Sequence, residues 1–373
     1  MKKVKQCNFV IFVYVSFIIL AIPSCVRHEH GRANITESYD FSIETVNVED
    51  LLCALEDYSS DFEIVDICFD LDTIGIYKED KEYNPESDFK FVIVGNNEGI
   101  RITGLIEPKS VVHIPPYIQC LPIIELGREA FAGIARNAGK LTKVTIPNTV
   151  VDIGWRAFAF NQLTEISIPD SVINLEGFDG NQLTSITIPN SVTRIGGSAF
   201  SENPINSVII PNSVKYISEF AFANSQLNNV TISESVTFIG DGAFQANRLT
   251  SITIPNSVTR ISNFAFASNQ LTSVILSDSI TEIGFGVFEN NRLNNVTIPD
   301  NVTAIWGRAF YGNPLTSITI GANVRVEVLC DGWGNNNYPF GFGFEDFYNN
   351  PDGNNRQAGT FIREQGYSVW IRQ

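Results

Sequence analysis

Groups that could carry out catalysis are few in this chain and poorly placed for it. The 373 residues include three histidines, and two of them, His28 and His30, lie close to the apolar N-terminal segment, far from His113. Serine and threonine are plentiful, but none has a neighbouring base of the kind that activates a hydroxyl nucleophile. The sequence therefore predicts a protein that is not an enzyme and has no catalytic residues.

Metal and cofactor chemistry also lacks a motif. The six cysteines include no CxxC pair, and no histidine lies near a cysteine in the folded part, as a zinc site requires. The string DLDTIG at Asp70 to Gly75 is typical of a calcium loop, but Ile74 stands where a ligand is needed. We predict no metal and no cofactor. Cys53, Cys68, Cys120 and Cys330 would allow three disulfide connectivities in an exported chain or stay reduced, and the sequence leaves this open.

Export is predicted by the first 25 residues, MKKVKQCNFVIFVYVSFIILAIPSC. Three lysines precede an apolar run of about fifteen residues, which fits a signal peptide better than a bilayer span. The end, IPSC, resembles a bacterial lipobox, so that Cys25 would become the acylated N-terminus. The alternative is an ordinary secretory signal with an incidental cysteine. We expect an exported, lipid-anchored protein at the bacterial cell surface or outer membrane.

Charge excludes some partners. The formal net charge is −16, and removal of the signal lysines would make it −19. A field of that sign repels nucleic acid phosphates and anionic lipid headgroups. Residues 37–90 hold 17 acidic residues against three lysines, so most of the excess lies before the region that follows. We expect no nucleic-acid partner and contact with a membrane only through the lipid anchor.

A repeat dominates the rest of the chain. The segment LTSITIPNSVTR occurs at Leu183 to Arg194 and again at Leu249 to Arg260, 66 residues later. The proline of IPN and its equivalents recur every 22 residues, except that Pro169 and Pro189 are 20 apart. Such a period indicates a solenoid in which each unit is one coil stacked on the next. Because the missing residues fall near Gly177, we expect the coil to be irregular there.

Each coil repeats two apolar columns with strand spacing, a second extended segment and a closing phenylalanine. The phenylalanine column is Phe158, Phe178, Phe200, Phe222, Phe244, Phe266, Phe288 and Phe310. Three residues after the phenylalanine stands an amide in nearly every coil, at Asn161, Asn181, Asn203, Asn247, Asn269, Asn291 and Asn313. An amide both donates and accepts, so we predict that this column is a structural ladder that satisfies buried turn groups.

The coil sequence LTSITIPNSVTRIGGSAF resembles the BspA-like leucine-rich repeat family, whose coils read roughly LxxIxIPxxVxxIGxxAF. The resemblance extends over about Arg101 to Val324. It implies a right-handed solenoid with short parallel strands, exported to the bacterial surface and adhesive toward host proteins or other cells. No binding residue can be transferred by position.

The predicted organisation has four parts: a signal peptide at 1–24, an acidic segment and small α+β cap at 25–100, leucine-rich repeat coils at 101–324 and a capping region at 325–373. In the last part GTFIREQGYSVWI alternates and turns at Gln365 and Gly366, which predicts a β-hairpin over the last coil. Its aromatic residues Phe361, Tyr367 and Trp370 are expected in the core of the cap.

Binding of extracellular or cell-surface proteins by a monomer is the leading functional hypothesis. The candidate face is an outward, uncharged column that includes Thr187, Thr231, Thr253, Thr297 and Thr319. Threonine also simply favours strands, which is an equally good reading of the column. Aromatic residues on the second extended segment are another candidate patch, namely Trp155, Tyr216, Phe220, Phe238, Phe264, Phe285 and Trp306. The alternatives are a passive structural spacer and, more remotely, an ice-binding solenoid.

Overall fold

The computed structural model describes residues 83–95, 98–133, 140–327, 329–330, 336–337, 339–340, 344–349, 356–362 and 370–373. The chain divides into residues 1–79 and residues 80–373, and every described residue belongs to the second unit. The signal segment, Cys25 and the acidic segment before Tyr83, with the predicted helix of the N-terminal cap, therefore lie outside the described residues. In the described part, no helix is long and apolar enough to cross a bilayer.

Short parallel strands form two ladders along the coils, which confirms the predicted repeat solenoid. The second ladder begins with an antiparallel pair, β1 and β2, and then adds one parallel strand per coil, with a short strand β4 paired to β5. Its strands are β1 Phe89–Val94, β2 Gly99–Leu105, β4 Tyr117–Ile118, β5 Leu121–Leu126, β7 Asp152–Ile153, β8 Asn174–Leu175, β9 Arg194–Ile195, β11 Tyr216–Ile217, β13 Phe238–Ile239, β15 Arg260–Ile261, β17 Glu282–Ile283, β19 Ala304–Ile305 and β21 Arg325–Val326.

The first ladder precedes the proline of each coil. Its strands pair in parallel as β3 with β6, β10 with β12, β14 with β16 and β18 with β20. They are β3 Val111–His113, β6 Lys143–Thr145, β10 Ser207–Ile209, β12 Asn229–Thr231, β14 Ser251–Thr253, β16 Ser273–Ile275, β18 Asn295–Thr297 and β20 Ser317–Ile320. In the three-residue strands the middle side chain points into the coil and its two neighbours point outward.

A column of phenylalanine rings runs through the core. Within the described residues ten rings stack in sequence, from Phe131 through the eight predicted positions to Phe340. Ring centroids lie 5.0–5.8 Å apart, and the eight inner rings are fully buried. Each stacked pair adds about 0.5–1.5 kcal/mol to the stabilisation from area burial. Because a ring covers both faces only when coils stand on each side, the column stabilises the stack rather than one coil.

The short coil keeps this column continuous. Gly177 has φ +93°, and a Cβ atom there would lie 2.6 Å from the carbonyl oxygen of Gly154. The Phe178 ring still stacks on Phe158 at 5.1 Å and on Phe200 at 5.8 Å. The expectation of an irregular ring column at Gly177 is therefore wrong, because the glycine lets a shortened turn pass close to the neighbouring backbone.

The asparagine column joins consecutive coils by hydrogen bonds. The Asn247 side chain accepts from the Leu227 N–H of the preceding coil at 3.0 Å. Its Nδ2 donates to the Phe222 carbonyl of that coil at 2.8 Å and to its own Phe244 carbonyl at 3.1 Å. Asn161, Asn181, Asn203, Asn269, Asn291 and Asn313 make the equivalent bonds to both coils and are buried. Each amide thereby satisfies backbone groups that stacking removes from water.

Both ends of the first ladder are covered. At the start, the Asn84 backbone N–H donates to the His113 carbonyl at 2.8 Å, and Asn84 Oδ1 accepts the His113 N–H at 2.7 Å. At the other end, β24 (Gly359–Ile362) pairs antiparallel with β20, and β25 (Ile371–Arg372) pairs antiparallel with β24. This arrangement confirms the predicted C-terminal hairpin strands, while the predicted turn at residues 365–366 lies outside the described residues.

The C-terminal cap has an aromatic core. The helix α1 (Phe344–Asn349) places Phe344 edge-on to Phe340, Phe361 and Trp370. Phe361 and Trp370 are buried, as predicted, and Tyr367 lies outside the described residues. The Tyr348 hydroxyl donates to the Gly321 carbonyl at 2.8 Å and so ties the helix to the last coil. Two further short strands, β22 (Leu329–Cys330) and β23 (Asn336–Asn337), pair antiparallel.

Replacing Asn247 by alanine should destabilise the protein by about 3 kcal/mol, because the Leu227 N–H and two carbonyls lose a buried partner. The midpoint of urea unfolding, followed by circular dichroism, measures the loss. Asn228→Ala in the preceding coil is the matched control, since the Asn228 side chain is exposed. Equal midpoints for the two variants would contradict a structural role for the ladder.

Candidate functional site

The outward side of the first ladder carries the predicted binding column. In each coil from residue 183 to residue 319, the leucine or isoleucine of the coil is followed by two outward residues, one inward residue and one further outward residue. We name this surface the threonine face. Its third column consists of Thr187, Ile209, Thr231, Thr253, Ile275, Thr297 and Thr319, and its first two columns consist only of Thr, Ser and Asn.

The five predicted threonines share this face but not the same exposure. Thr187, Thr231, Thr253 and Thr297 are exposed. Thr319 is half-buried, because β24 lies beside it and the Thr319 and Thr360 hydroxyls approach to 3.0 Å. The coil-borne part of the face that is open to solvent therefore ends at Thr297, and the hairpin extends it with its own outward residues.

The threonine face carries no charged side chain in its three columns from residue 183 to residue 319. Several of its hydroxyls are occupied in holding coils together: Thr272 Oγ1 donates to the Thr250 carbonyl at 3.2 Å, and Thr316 Oγ1 donates to the Asn294 carbonyl at 3.2 Å. Hydroxyls that already donate to backbone are held in one orientation. A partner would therefore meet a preformed, neutral surface whose desolvation costs less than that of a charged one.

Three isoleucines make this face unusual. Ile209, Ile275 and Ile371 are 72%, 64% and 62% exposed, more than any other large hydrophobic side chain in the described residues. Ile209 and Ile275 stand in the threonine column. Ile371 pairs with Ile362, which stands two residues from Thr360, the partner of Thr319, so strand alternation places it on the same side of the sheet. The most exposed apolar groups thus lie on one surface.

The other predicted groups are not brought to this face. The asparagine ladder is buried inside the coils. The His113 ring lies at the N-terminal end of the first ladder, where its Nδ1 is 2.9 Å from Thr145 Oγ1. Cys25, the predicted lipid attachment, lies outside the described residues. Within the described ranges, no group of His, Cys, Asp and Glu has the arrangement of a metal site.

A row of alternating charges on the second ladder was missed by the sequence reasoning. Arg101 Nε lies 2.6 Å from Glu125 Oε1, and the Asn174 amide donates to Asp152 Oδ2 at 3.1 Å. These residues face outward on the paired strands β2, β5, β7 and β8. Reading the residue before each buried isoleucine or leucine as a column would have found the row, because stacked coils place such residues side by side.

Burial raises the pKa of Asp152; the Asn174 hydrogen bond lowers it only in part, and the Glu125 charge raises it further. Burial likewise raises the pKa of Glu176, which Arg194 counteracts through an ion pair of 3.0 Å. A carboxyl whose folded pKa exceeds its unfolded pKa binds protons more tightly when folded. Its ionisation therefore lowers stability as pH rises from the unfolded value of 3.8 through the folded pKa.

Asp152→Asn should raise stability at pH 7 and leave it nearly unchanged near pH 3.5, because the amide removes the cost of ionising a half-buried carboxyl and can still accept from Asn174. Urea unfolding of both proteins at a series of pH values gives the difference. The control is Asp170→Asn at an exposed position. A variant that is less stable than the parent at pH 7 would show that the carboxylate is net favourable.

Comparison with known proteins identifies related sequences and folds. A family model described as BspA type leucine rich repeat region matches residues 124–248 and 215–327 in six copies. No curated protein matches the chain significantly.

Solved structures give a similar fold. A leucine-rich repeat protein of Bacteroides ovatus is 27% identical with a TM-score of 0.54, over 64% of this chain and 65% of that chain, which is less than two thirds of its length. A leucine rich repeat protein of T. pallidum is 25% identical with a TM-score of 0.39, over 56% of this chain and 88% of that one. A leucine rich cell surface protein of Faecalibacterium prausnitzii is 20% identical with a TM-score of 0.37, over 65% and 90%.

Proposed function

Because the chain belongs to the BspA-type leucine-rich repeat family, we propose that it is a non-catalytic scaffold that binds extracellular or cell-surface proteins of a host or of neighbouring cells. In this proposal the threonine face is the docking surface. The protein acts as a monomer, at the bacterial cell surface, and is held there by a lipid on Cys25. Repeat solenoids of this kind offer an extended surface in place of a cleft.

The observation that carries the proposal is the placement of Ile209, Ile275 and Ile371 on the threonine face. An apolar side chain that the fold leaves in water is a liability unless a partner covers it. Ile209 and Ile275 stand three coils apart, about 14 Å at a strand spacing of about 4.8 Å. Two anchors at that distance, separated by neutral hydroxyl groups, suit a protein partner whose interface has an apolar centre and a polar surround.

The lack of charge on the face supports a protein partner of either sign. The face is uncharged although the whole chain is strongly acidic. Like charges juxtaposed across an interface are costly, and a neutral face avoids that cost with acidic partners. The hydroxyls that bind backbone, such as that of Thr272, hold the surface rigid, so that little side-chain entropy is lost on docking.

Thr231→Lys combined with Thr253→Lys should weaken binding to a purified extracellular-matrix protein about tenfold or more, because two charges enter the uncharged centre of the interface. Surface plasmon resonance on a panel of purified matrix proteins measures it. The matched control is Thr237→Lys with Thr259→Lys, which places the same charges in the same two coils, just before the second ladder.

If no panel protein binds, or if the threonine-face variant binds as the parent does, the passive spacer becomes the better account. Thermal hysteresis of the purified protein would instead favour the ice-binding alternative, for which Ile209 and Ile275 interrupt the threonine column.

Cys25→Ser should move the protein from the membrane fraction to the soluble fraction, because the hydroxyl cannot carry the thioether-linked lipid. Immunoblots of fractionated cells and metabolic labelling with a fatty acid measure the change. Cys7→Ser, within the predicted signal peptide, should leave both signals unchanged. Persistent membrane association of Cys25→Ser without labelled lipid in the parent would contradict the anchor.

A further inference from the structure

A second surface, on the side of the second ladder, is aromatic where the threonine face is polar. It is formed by residues at and just beyond the second-ladder strands of four consecutive coils, and we name it the aromatic strip. It consists of Tyr216, Phe220, Phe238, Phe264 and Phe285. Tyr216 and Phe220 are 51% and 43% exposed. Nothing in the proposed docking through the threonine face uses these rings.

Two rings of the strip lie over glycines of the next coil. Phe220 has φ +54°, and its ring occupies the space next to Gly242, where a Cβ atom would lie 2.6 Å from it. Phe264 has φ +56° and covers Gly286 in the same way, at 2.5 Å. The left-handed backbone turns each ring outward, and the missing Cβ lets the ring settle on the neighbouring coil. One side of each ring is therefore supported by backbone, and Phe220 is left open to solvent on the other.

The two platforms are related by the repeat itself. The Phe220 N–H donates to the Asp241 carbonyl at 2.8 Å, and the Gly242 N–H donates to the Asn263 carbonyl at 2.8 Å, so successive coils are in register. Phe220 and Phe264 are two coils apart, about 9.6 Å at a strand spacing of about 4.8 Å, and have the same backbone conformation. The strip thus presents the same platform in the same orientation at a disaccharide-sized interval.

We propose that the aromatic strip binds a linear, neutral polysaccharide of β-1,4-linked hexoses. In such a chain alternate sugars turn over, so that every second ring presents the same face, at a repeat that matches the interval between Phe220 and Phe264. The C–H groups of a pyranose face pack on an aromatic ring, while its hydroxyls point sideways to polar groups. α-1,4-Linked chains curve and do not keep this register.

The charges beside the strip favour a neutral chain over an acidic one. Glu219 and Asp241 are exposed and stand next to the platform positions 220 and 242. Carboxylates accept hydrogen bonds from sugar hydroxyls and repel anionic glycans. The Arg260 guanidinium lies 5.8 Å from the centre of the Phe238 ring and can donate to hydroxyls at the edge of the strip. The strip therefore combines apolar platforms with lateral donors and acceptors, as a sugar chain requires.

Isothermal titration calorimetry of the purified full-length protein with cellohexaose, mannohexaose and maltohexaose tests the proposal. At least one of the two β-1,4-linked hexaoses should bind saturably, and maltohexaose should bind about tenfold more weakly or not at all. Phe220→Ala combined with Phe264→Ala should weaken that binding about tenfold or more, as loss of central aromatic anchors does.

The matched control is Phe160→Ala, since the Phe160 ring also covers a glycine, Gly180, but lies outside the strip. Its thermal midpoint reports the stability cost of losing such a ring, and its affinity for the hexaose should equal that of the parent. Thr231→Lys with Thr253→Lys should also leave glycan affinity unchanged, which separates this inference from the proposed function. Absence of binding to both β-linked hexaoses, equal binding of maltohexaose, or undiminished binding by the Phe220/Phe264 variant would overturn it.

Discussion

The structure depends on stacking of coils that cannot be stable singly. Six large inward side chains stabilise one coil by roughly 9–18 kcal/mol, less than the cost of ordering 22 residues at about 1.5 kcal/mol each. The phenylalanine rings meet this deficit because each is shared by two neighbours, at 5.0–5.8 Å. The buried asparagines do the same for polar groups, since each amide bonds backbone of its own coil and of the one before. Every inward residue is thereby constrained by the coil on each side.

This constraint leaves function to the outward columns. The inward columns repeat nearly the same residue in each coil, whereas the residue before the second-ladder isoleucine or leucine changes from charged to aromatic along the chain. The two ladders consequently present different chemistry on one rigid support: hydroxyls with isolated isoleucines on the first, ion pairs and rings on the second. A protein that meets two kinds of partner at the cell surface needs such separation, because each surface can vary without disturbing the stack.

The periodic part of the fold was predictable and the aperiodic part was not. The 22-residue period, the phenylalanine column and the asparagine column follow from residue types at fixed positions. The capping contacts do not: Asn84 covers β3 and β24 covers Thr319 through pairings that occur once, with no repeat to reveal them. The charged row and the rings on glycine were within reach of the sequence, because residues 22 apart become neighbours. They were missed because outward positions were not compared between adjacent coils.

The register of the coils also bears on how such a chain can evolve. The twelve identical residues beginning at Leu183 and Leu249 occupy equivalent places in the stack. Recombination between the corresponding stretches of the gene would excise or duplicate 66 residues, three whole coils, and rejoin rings and amides to partners of the same kind. The encoded rod would shorten or lengthen by about 14 Å. Such exchange would add or remove one of the exposed isoleucines, so the number of anchors could change in a single genetic step while the core stayed intact.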